Sequence, residues 1–294
     1  MAPPLVDRLL ARAGRLDRPA DGVAGIVEGF YRVLGPLGRP LQSFLNGTWT
    51  GHPLHPLLTD VPIGAWTVVL VLDLWGIISP ESATGGAGAI ALWFGVLAAL
   101  GAAVSGLTDW KDTFGYERRV GFVHMLVMLA ATALYVVSGV LRLSAGDEAA
   151  SGRIVGLAGY VLLVAGGYFG GEMAFGFGSM VNHNAFREGP GKFTPVGALA
   201  DVGPGTTYVE AKGVPVLLVR DGAAITAIGA ICSHAGGPLR RSAIENGCLT
   251  CPWHGSRFHV ADGSVARGPA TFQLPRYEVR VTDEGQVEVR RAGP

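Results

Sequence analysis

The chain has 294 residues, of which 49% are hydrophobic and 16% are charged, and its mean hydropathy is +0.37. This apolar composition excludes an ordinary soluble protein and indicates membrane-spanning segments, while the length allows two domains. The 23 basic and 23 acidic residues give a net charge of zero, so we expect no nucleic-acid partner.

The first 44 residues predict short amphipathic helices. Apolar residues recur at helical spacing from Leu5 to Leu16 and again from Ile26 to Leu34, and arginines occupy the opposite faces. Two interpretations remain open: either these helices lie on the membrane surface, or they pack on the rest of the protein. Residues 1–44 are therefore assigned to amphipathic helices on the cytoplasmic side or at the membrane interface.

Four long apolar runs follow in the region 45–185. They cover residues 61–78, 87–107, 120–141 and 154–175. Each run has about the 20 residues that an α-helix needs to cross a bilayer. The pattern predicts an all-α bundle of four transmembrane helices, for which the lipid bilayer is a partner.

Several side chains in these runs have expected roles. Asp60 is expected to cap the first helix, with Pro62 in its first turn. Asp73 lies inside the first run, and we expect it to hydrogen-bond a Ser, Thr or Tyr side chain of a neighbouring helix. Trp66, Trp75, Trp93 and Trp110 lie near run ends, as interfacial aromatic residues do.

The distribution of basic residues predicts the orientation. Arg8, Arg12, Arg15, Arg18, Arg32 and Arg39 precede the first run, and Lys111, Arg118 and Arg119 separate the second from the third. The link 79–86 has no Lys or Arg, and the link after the third run carries Asp147 and Glu148, with Arg142 and Arg153 only at its margins. The positive-inside rule therefore places both termini in the cytoplasm. The predicted location of the protein is the inner membrane of a bacterial cell.

Four histidines are expected to gather at the cytoplasmic end of this bundle: His52, His55, His124 and His183. Histidine in or beside a membrane is costly unless it is used or paired. Four roles remain open for these histidines: binding of haem b, binding of a non-haem metal, binding of a quinone head group, or capping of helix ends. For haem b, His55 and His124 are the first pair to test.

The stretch 52–64 reads His-Pro-Leu-His-Pro-Leu-Leu-Thr-Asp-Val-Pro-Ile-Gly. It resembles the signature of a family of bacterial predicted membrane domains of unknown function. His124 and the pair Gly170-Gly171 fit that family as well. The resemblance covers about residues 45–185, and it implies a membrane location but no activity.

The pattern changes after the fourth run. Residues 186–192 contain Gly-Pro-Gly and predict a linker. From 193 to 292 short apolar stretches alternate with turns such as Asp221-Gly222 and Asp262-Gly263, which predicts a small antiparallel all-β domain. The fold class is thus a multidomain membrane protein, with an N-terminal helical bundle and a C-terminal β domain.

Two short Cys/His pairs lie in the β domain. Cys232 and His234 form the first, and Cys251 and His254 the second, with sixteen residues between the pairs. Two thiolates and two imidazoles suit an iron–sulfur cluster with sulfur ligands on one iron and nitrogen ligands on the other. The same four residue types also suit a tetrahedral Zn²⁺ site.

The residues that flank these pairs carry a resemblance. Gly236-Gly237-Pro238-Leu239 and Gly255-Ser256-Arg257-Phe258 follow the two pairs, and Gly268-Pro269-Ala270 resembles a third loop. Together they resemble the Rieske [2Fe-2S] domains. The resemblance implies that Cys232 and Cys251 hold one iron of a [2Fe-2S] cluster and that His234 and His254 hold the other.

Departures from one branch narrow the resemblance. Quinol-oxidising Rieske proteins carry an additional cysteine in each ligand loop, where this chain has Gly237 and Trp253, and a tyrosine where it has Phe258. The chain therefore looks like the ferredoxin and oxygenase branch, with a lower potential. Cys248 is left over and is expected to be a small buried hydrophobic residue.

These observations predict a membrane-anchored one-electron carrier at the cytoplasmic face, with redox proteins or a quinone as partners. No mononuclear-iron catalytic domain follows the cluster domain in this sequence, so we expect no oxygenase activity within the chain. The alternative is a quinol- or haem-b-linked membrane oxidoreductase subunit, in which the bundle histidines exchange electrons with the cluster.

Overall fold

The computed structural model describes residues 5–79, 86–146, 149–187 and 189–293. The chain forms two compact units, one from residues 1–38 and 54–177 and the other from 39–53 and 178–294. Segments 39–53 and 178–192 therefore belong to the unit of the β domain, whereas the sequence placed them elsewhere. Asp147, Glu148 and most of the link 79–86 lie outside the described residues, as does Glu188 of the predicted linker.

The helices of the chain are longer than predicted. They are α1 Leu5–Leu10, α2 Asp17–Val33, α3 Gly38–Asn46, α4 Leu54–Ile78, α5 Ala87–Trp110, α6 Gly115–Ala145 and α7 Ala150–Gly171. A single π-helical turn extends α7 to Gly176. The helices α4 to α7 are long and apolar enough to cross a membrane, in agreement with the predicted bundle.

The start of α4 differs from the prediction. The helix begins at Leu54, so Asp60 is an exposed helical residue and not the cap, and Pro62 lies inside the helix. Pro56 occupies the first turn, where its missing N–H would have no partner within the helix in any case. His55 consequently belongs to α4 and does not precede it.

The four long helices form a closed bundle. The α4–α5 and α6–α7 pairs pack as neighbouring hairpins, and α5 with α6 and α4 with α7 complete the ring. α4 and α6 therefore occupy opposite corners. Trp66 is fully buried and stacks on Tyr135 with ring centroids 4.0 Å apart. The prediction that Trp66 and Trp110 are interfacial is wrong, since Trp110 is also buried and both large rings fill the core.

The N-terminal helices pack on this bundle through one face. Val6 and Ala20 bury against Trp110 and Phe122. The Asp17 carboxylate accepts hydrogen bonds from the Arg119 guanidinium at 2.8 Å, which lowers the pKa of Asp17. The opposite face of α2 leaves an apolar stripe exposed: Ile26, Phe30 and Val33. The packing interpretation therefore holds for one face, and membrane-surface binding of the other stays a prediction.

The residues of the second unit that the structure describes form ten short strands. They are β1 Thr194–Ala198, β2 Gly205–Ala211, β3 Val214–Asp221, β4 Ala224–Gly229, β5 Ile244–Glu245, β6 Cys248–Thr250, β7 Arg257–His259, β8 Val265–Arg267, β9 Arg276–Val281 and β10 Gln286–Arg291. One antiparallel sheet has the order β1-β10-β9-β4-β3-β2 and the other β5-β6-β7-β8. The predicted all-β domain is confirmed. Leu217, Ile228, Leu249 and Phe258 form a buried core that includes both cysteines of the Cys/His pairs.

Candidate metal centre

Two loops of the same backbone shape carry the Cys/His pairs. In loop 232–237 the N–H of the first residue donates to the carbonyl of the sixth at 2.8 Å, and the N–H of the fifth donates to the carbonyl of the first at 3.1 Å. Loop 251–256 repeats both bonds at the same distances. Gly236 and Gly255 adopt left-handed φ values of 75° and 74°, which glycine accepts without steric cost. The flanking glycines are therefore needed to close each loop.

The two thiols lie at the bottom of these loops. Cys232 and Cys251 are 1% and 3% exposed. A hydrogen bond from the Cys232 thiol and bonds from backbone N–H groups lower the pKa of Cys251 to about 7. The same bond between the two sulfurs, together with burial, raises the pKa of Cys232. One of the two sulfurs is thus readily available as thiolate near neutral pH, and thiolate is the form that binds metals.

The two imidazoles lie beside each other above the thiols. The ring centroids of His234 and His254 are 5.0 Å apart and the ring planes are nearly perpendicular. Both side chains are half-buried, whereas the neighbouring Trp253 is 49% exposed. The loops therefore bring together two inner sulfurs and two outer nitrogens, the donor set that a [2Fe-2S] cluster with mixed ligands takes.

Gly237 shows how tightly the loops meet. A Cβ atom at this position would lie 2.8 Å from Sγ of Cys251 and 3.3 Å from the Trp253 ring. Any larger side chain would displace a sulfur or the indole. The absence of a second cysteine in these loops, read from the sequence, thus goes with a close packing that leaves no room for one.

A third loop supports the second ligand loop. Ser256 is fully buried, and its hydroxyl accepts a hydrogen bond from the N–H of Ala270 at 3.0 Å. The N–H of Gly268 donates to the Ser43 hydroxyl at 3.2 Å, and the Thr48 hydroxyl donates to the carbonyl of Ala270. The sequence predicted the loop 268–270 but gave no sign that residues before α4 hold it.

The segment after the bundle supports the first ligand loop in the same way. The N–H of His183 donates to the carbonyl of Ser233 at 3.1 Å, and the side-chain amide of Asn184 donates to the carbonyl of Ile231 at 2.9 Å. The predicted linker is likewise held, because Pro190 accepts a hydrogen bond from the N–H of Arg291. These contacts explain why segment 178–192 belongs to the β unit.

The four histidines that the sequence grouped together divide into two pairs. His52 packs its ring 5.8 Å from Phe272 and His183 lies beside Gly236, both in the β unit. His55 and His124 lie in the helical unit with ring centroids 6.4 Å apart. The structure therefore brings together the pair chosen for the first test, and it gives the other two histidines places near the ligand loops.

Asp73 has a partner that the sequence analysis missed. Its carboxylate accepts two hydrogen bonds from the Arg142 guanidinium, at 2.9 and 2.6 Å, and both side chains are buried. The expected Ser, Thr or Tyr partner is therefore wrong. Arg142 was assigned to the margin of a loop because the predicted third helix ended at residue 141. A helix extended to Ala145 would have placed this arginine inside the membrane.

Comparison with known proteins identifies both units. Residues 192–278 match the Rieske [2Fe-2S] domain family, and residues 51–183 match a family described as a predicted membrane protein, DUF2231. The second match agrees with the resemblance read from the stretch 52–64, and the first with the residues around the Cys/His pairs.

Three curated relatives match the β unit. The anthranilate 1,2-dioxygenase ferredoxin subunit of Burkholderia cepacia is 30% identical over 96 residues, which cover 32% of this chain and 88% of that protein. The cytochrome b6-f complex iron-sulfur subunit of Chlorobaculum tepidum is 32% identical over 89 residues, 30% of this chain and 48% of that one. Human apoptosis-inducing factor 3 is 35% identical over 76 residues, 26% of this chain, and the chain spans only 13% of its length.

A solved structure also matches, the ferredoxin of carbazole 1,9a-dioxygenase from Nocardioides aromaticivorans, with 29% identity and a TM-score of 0.32. It covers 34% of this chain and 99% of the ferredoxin. The cofactor that the match to the Rieske [2Fe-2S] domain family implies is a [2Fe-2S] cluster, and the two sulfurs and two nitrogens of the ligand loops fit it. The chain therefore belongs to the Rieske [2Fe-2S] proteins and joins that domain to a DUF2231 membrane domain.

Proposed function

We propose that this protein is a membrane-anchored one-electron carrier whose cluster is held by Cys232, Cys251, His234 and His254 at the cytoplasmic face. The observation that carries the proposal is the convergence of two buried thiols and two half-buried imidazoles on paired loops. When bound, a [2Fe-2S] cluster supplies the exchange of a single electron.

The side chains around the cluster site define where electrons enter and leave. The thiols lie in the hydrophobic core with Leu249 and Phe258, which keeps water away from the sulfur side. His234 and His254 lie at the surface side, with Trp253 exposed beside them. An acceptor would therefore dock on the imidazole side. The relatives include a dioxygenase ferredoxin subunit and a cytochrome b6-f subunit, which supports a redox protein or a quinone as the partner.

The cytoplasmic orientation rests on the basic residues. Arg118 and Arg119 lie at the start of α6 and form ion pairs with Asp21 and Asp17 of α2. The N-terminal helices and the basic loop thus lie at one end of the helical unit. Under the positive-inside rule this end faces the cytoplasm, and the β unit, which follows an even number of spans, is expected on the same side.

A membrane-impermeant oxidant tests the orientation and the activity together. The reduced protein is placed in membrane vesicles. When the cytoplasmic side faces outward, ferricyanide should oxidise the cluster within seconds and remove one electron per cluster. The electron paramagnetic resonance (EPR) signal of the reduced cluster should then disappear. Right-side-out vesicles should keep the signal until detergent is added. Oxidation in right-side-out vesicles would reject the orientation, and a protein without iron and acid-labile sulfide would reject the carrier itself.

A second function is favoured by the facing rings of His55 and His124. In this alternative the helical unit is a quinol- or haem-linked oxidoreductase component that exchanges electrons with the cluster. Adding a reduced quinol to the protein in liposomes separates the two functions. Reduction of the cluster that is lost in His55→Ala but kept in His52→Ala would support the linked function, and no reduction would leave the simple carrier.

A further inference from the structure

The helical unit is built from two copies of one helical hairpin. Residue numbers differ by 69 between equivalent positions of α4 and α6, and by 64 between those of α5 and α7. Burial follows this correspondence. On α5 and α7, Gly88, Gly95, Ala99 and Ala102 are buried, and so are their equivalents Gly152, Gly159, Leu163 and Gly166. The bundle therefore has an approximate two-fold axis that runs parallel to its helices.

Equivalent residues of α4 and α6 meet in pairs along this axis: His55 with His124, Trp66 with Tyr135, and Asp73 with Arg142. Each pair is separated by the same 69 residues. The second pair lies about 16 Å and the third about 27 Å beyond the histidines, at 1.5 Å per residue. In the two farther pairs the equivalent side chains contact each other directly, as a ring stack and as an ion pair.

The histidine pair has the same surroundings in both halves. Nδ1 of His55 lies 2.8 Å from the carbonyl oxygen of Ala102, and Nδ1 of His124 lies 2.8 Å from that of Gly166, the equivalent residue. A carbonyl oxygen only accepts, so Nδ1 carries the hydrogen in both rings and Nε2 of the neutral ring has a free lone pair. Within the described residues, neither ring makes another hydrogen bond.

Two glycines fix the position of the rings. A Cβ at Gly106 would lie 2.7 Å from the His55 ring, and a Cβ at the equivalent Gly170 would lie 3.1 Å from the His124 ring. Each imidazole therefore lies directly against the backbone of α5 or α7. In both rings Nδ1 is bonded to a backbone carbonyl, and Cε1 is among the atoms nearest to the glycine. The residues of α5 and α7 that contact the two rings are small: Ala102, Gly106, Gly166 and Gly170.

We propose that His55 and His124 are the two axial ligands of a b-type haem in the helical unit. Two imidazoles on one iron, with Fe–N bonds of about 2.0 Å and about 1.1 Å from nitrogen to ring centre, place their centroids about 6.2 Å apart. The observed separation is 6.4 Å. Hydrogen bonds from Nδ1 to backbone carbonyls are the outer-shell contacts that orient a ligating histidine.

The chemistry of the pair favours haem over the other groups that histidines bind. Within the described residues no third His, Cys, Asp or Glu joins the pair, and two protein ligands are too few for an ion that needs four to six. A haem brings four equatorial nitrogens and needs two more. The oxidised form of a quinone would present acceptor oxygens to lone pairs that are themselves acceptors, so the pair would bind only the reduced form. The proposal concerns the helical unit alone and does not depend on the cluster ligands.

The test is a haem measurement on the full chain, purified in detergent under anaerobic conditions from haem-supplied cells. We expect about one haem per chain, with the reduced-minus-oxidised bands of a six-coordinate b-type haem. His55→Ala and His124→Ala should each lower the haem content at least tenfold. His52→Ala and His183→Ala, which change histidines of the other unit, should leave it unchanged.

His124→Met provides a second readout, because a thioether is also an axial ligand. We expect this variant to keep haem with shifted bands and a raised potential, an outcome that a purely structural histidine would not give. The helical circular-dichroism signal and a single monodisperse peak in detergent report that the helical unit of each variant is folded, and the EPR signal of the cluster reports the same for the β unit. Three results would overturn the proposal. They are a folded chain that contains no haem, a chain that holds copper or zinc in place of haem, and alanine variants that bind haem like the parent.

Discussion

The cluster loops and the histidine pair of the bundle both come from a repeated structural unit. In the cluster site the unit is a six-residue loop, and in the bundle it is a helical hairpin. Only the repeat of the cluster loops is easily seen in the sequence. The ligand loops begin 19 residues apart, at Cys232 and Cys251, and each contains its own glycines and its own hydrogen-bonded closure. The bundle histidines are 69 residues apart and are aligned by whole helices. A site formed by local backbone structure appears in the sequence as a compact motif. A site formed by helix packing appears only as a constant difference in residue number between distant residues.

The two sites should also respond differently to substitution. In the β unit the ligands are held by bonds within each loop, so damage should stay close to the ligand that is changed. In the helical unit each ring position depends on how closely two helices approach, so residues that never touch a ligand should matter. The predictions below test this contrast, in order of decreasing effect.

Replacing a loop cysteine should remove the cluster altogether. In Cys232→Ser the serine hydroxyl is a poor ligand for the iron of the sulfur side, and we expect iron and acid-labile sulfide to fall at least tenfold. Cys248→Ser is the matched control, because Cys248 is buried on β6 and lies 3.5 Å from His259. If both variants lost the cluster equally, the assignment of Cys232 as a specific ligand would be wrong.

Breaking the buried ion pair should destabilise the helical unit strongly. Asp73→Asn removes the carboxylate charge that accepts two hydrogen bonds from the buried Arg142 guanidinium, and breaking such a buried pair costs about 3–5 kcal/mol. The double variant Asp73→Leu with Arg142→Leu removes both charges, and we expect it to recover most of the loss. Unfolding in mixed micelles measures both. A double variant as unstable as Asp73→Asn would show that the pair is not the source of the effect.

The glycine beneath His55 offers a test of helix approach. Gly106→Ala would place a Cβ 2.7 Å from the imidazole, and relieving this overlap should cost up to about 3 kcal/mol. Gly101→Ala on the same helix meets only a Leu58 methyl group at 3.7 Å and should be close to neutral. Thermal unfolding of the two variants gives the comparison, and equal melting temperatures would contradict the packing of His55 on α5.

The serine behind the second ligand loop should have the smallest effect. Ser256→Ala leaves the buried N–H of Ala270 without its acceptor, at a cost of about 1–2 kcal/mol. The melting temperature of the cluster absorbance should fall accordingly. Ser264→Ala removes an exposed hydrogen bond to Asp262 and should leave that temperature nearly unchanged. A larger loss in the control would mean that Ser256 does not support the third loop.

The sequence predicts the local parts of this structure well. The four apolar spans, the β domain and the Cys/His pairs depend on composition and on spacings within a few residues, and the comparisons and the fold agree with them. The boundaries of α4 were harder, because Pro56 and Pro62 look like the start of a helix although one lies in the first turn and the other inside.

Contacts between residues that are far apart in the sequence could not be predicted in the same way. The pairing of Asp73 with Arg142 required the helix to continue past residue 141, and polar residues near a span end look like a loop. Segments 39–53 and 178–192 join the β unit through backbone hydrogen bonds such as that of His183 to Ser233, and bonds between backbone atoms leave no residue pattern. The repeat of 69 residues was present in the sequence, but only its contacts show that it matters.

The most direct test of the central claim is electron–nuclear double resonance of the reduced cluster in full-length protein labelled with ¹⁵N-histidine. The account predicts couplings to two histidine nitrogens, which decrease to one on substitution of His234 or of His254 and stay at two in His259→Ala. A cluster without nitrogen coupling, or a protein that contains zinc and no acid-labile sulfide, would contradict it.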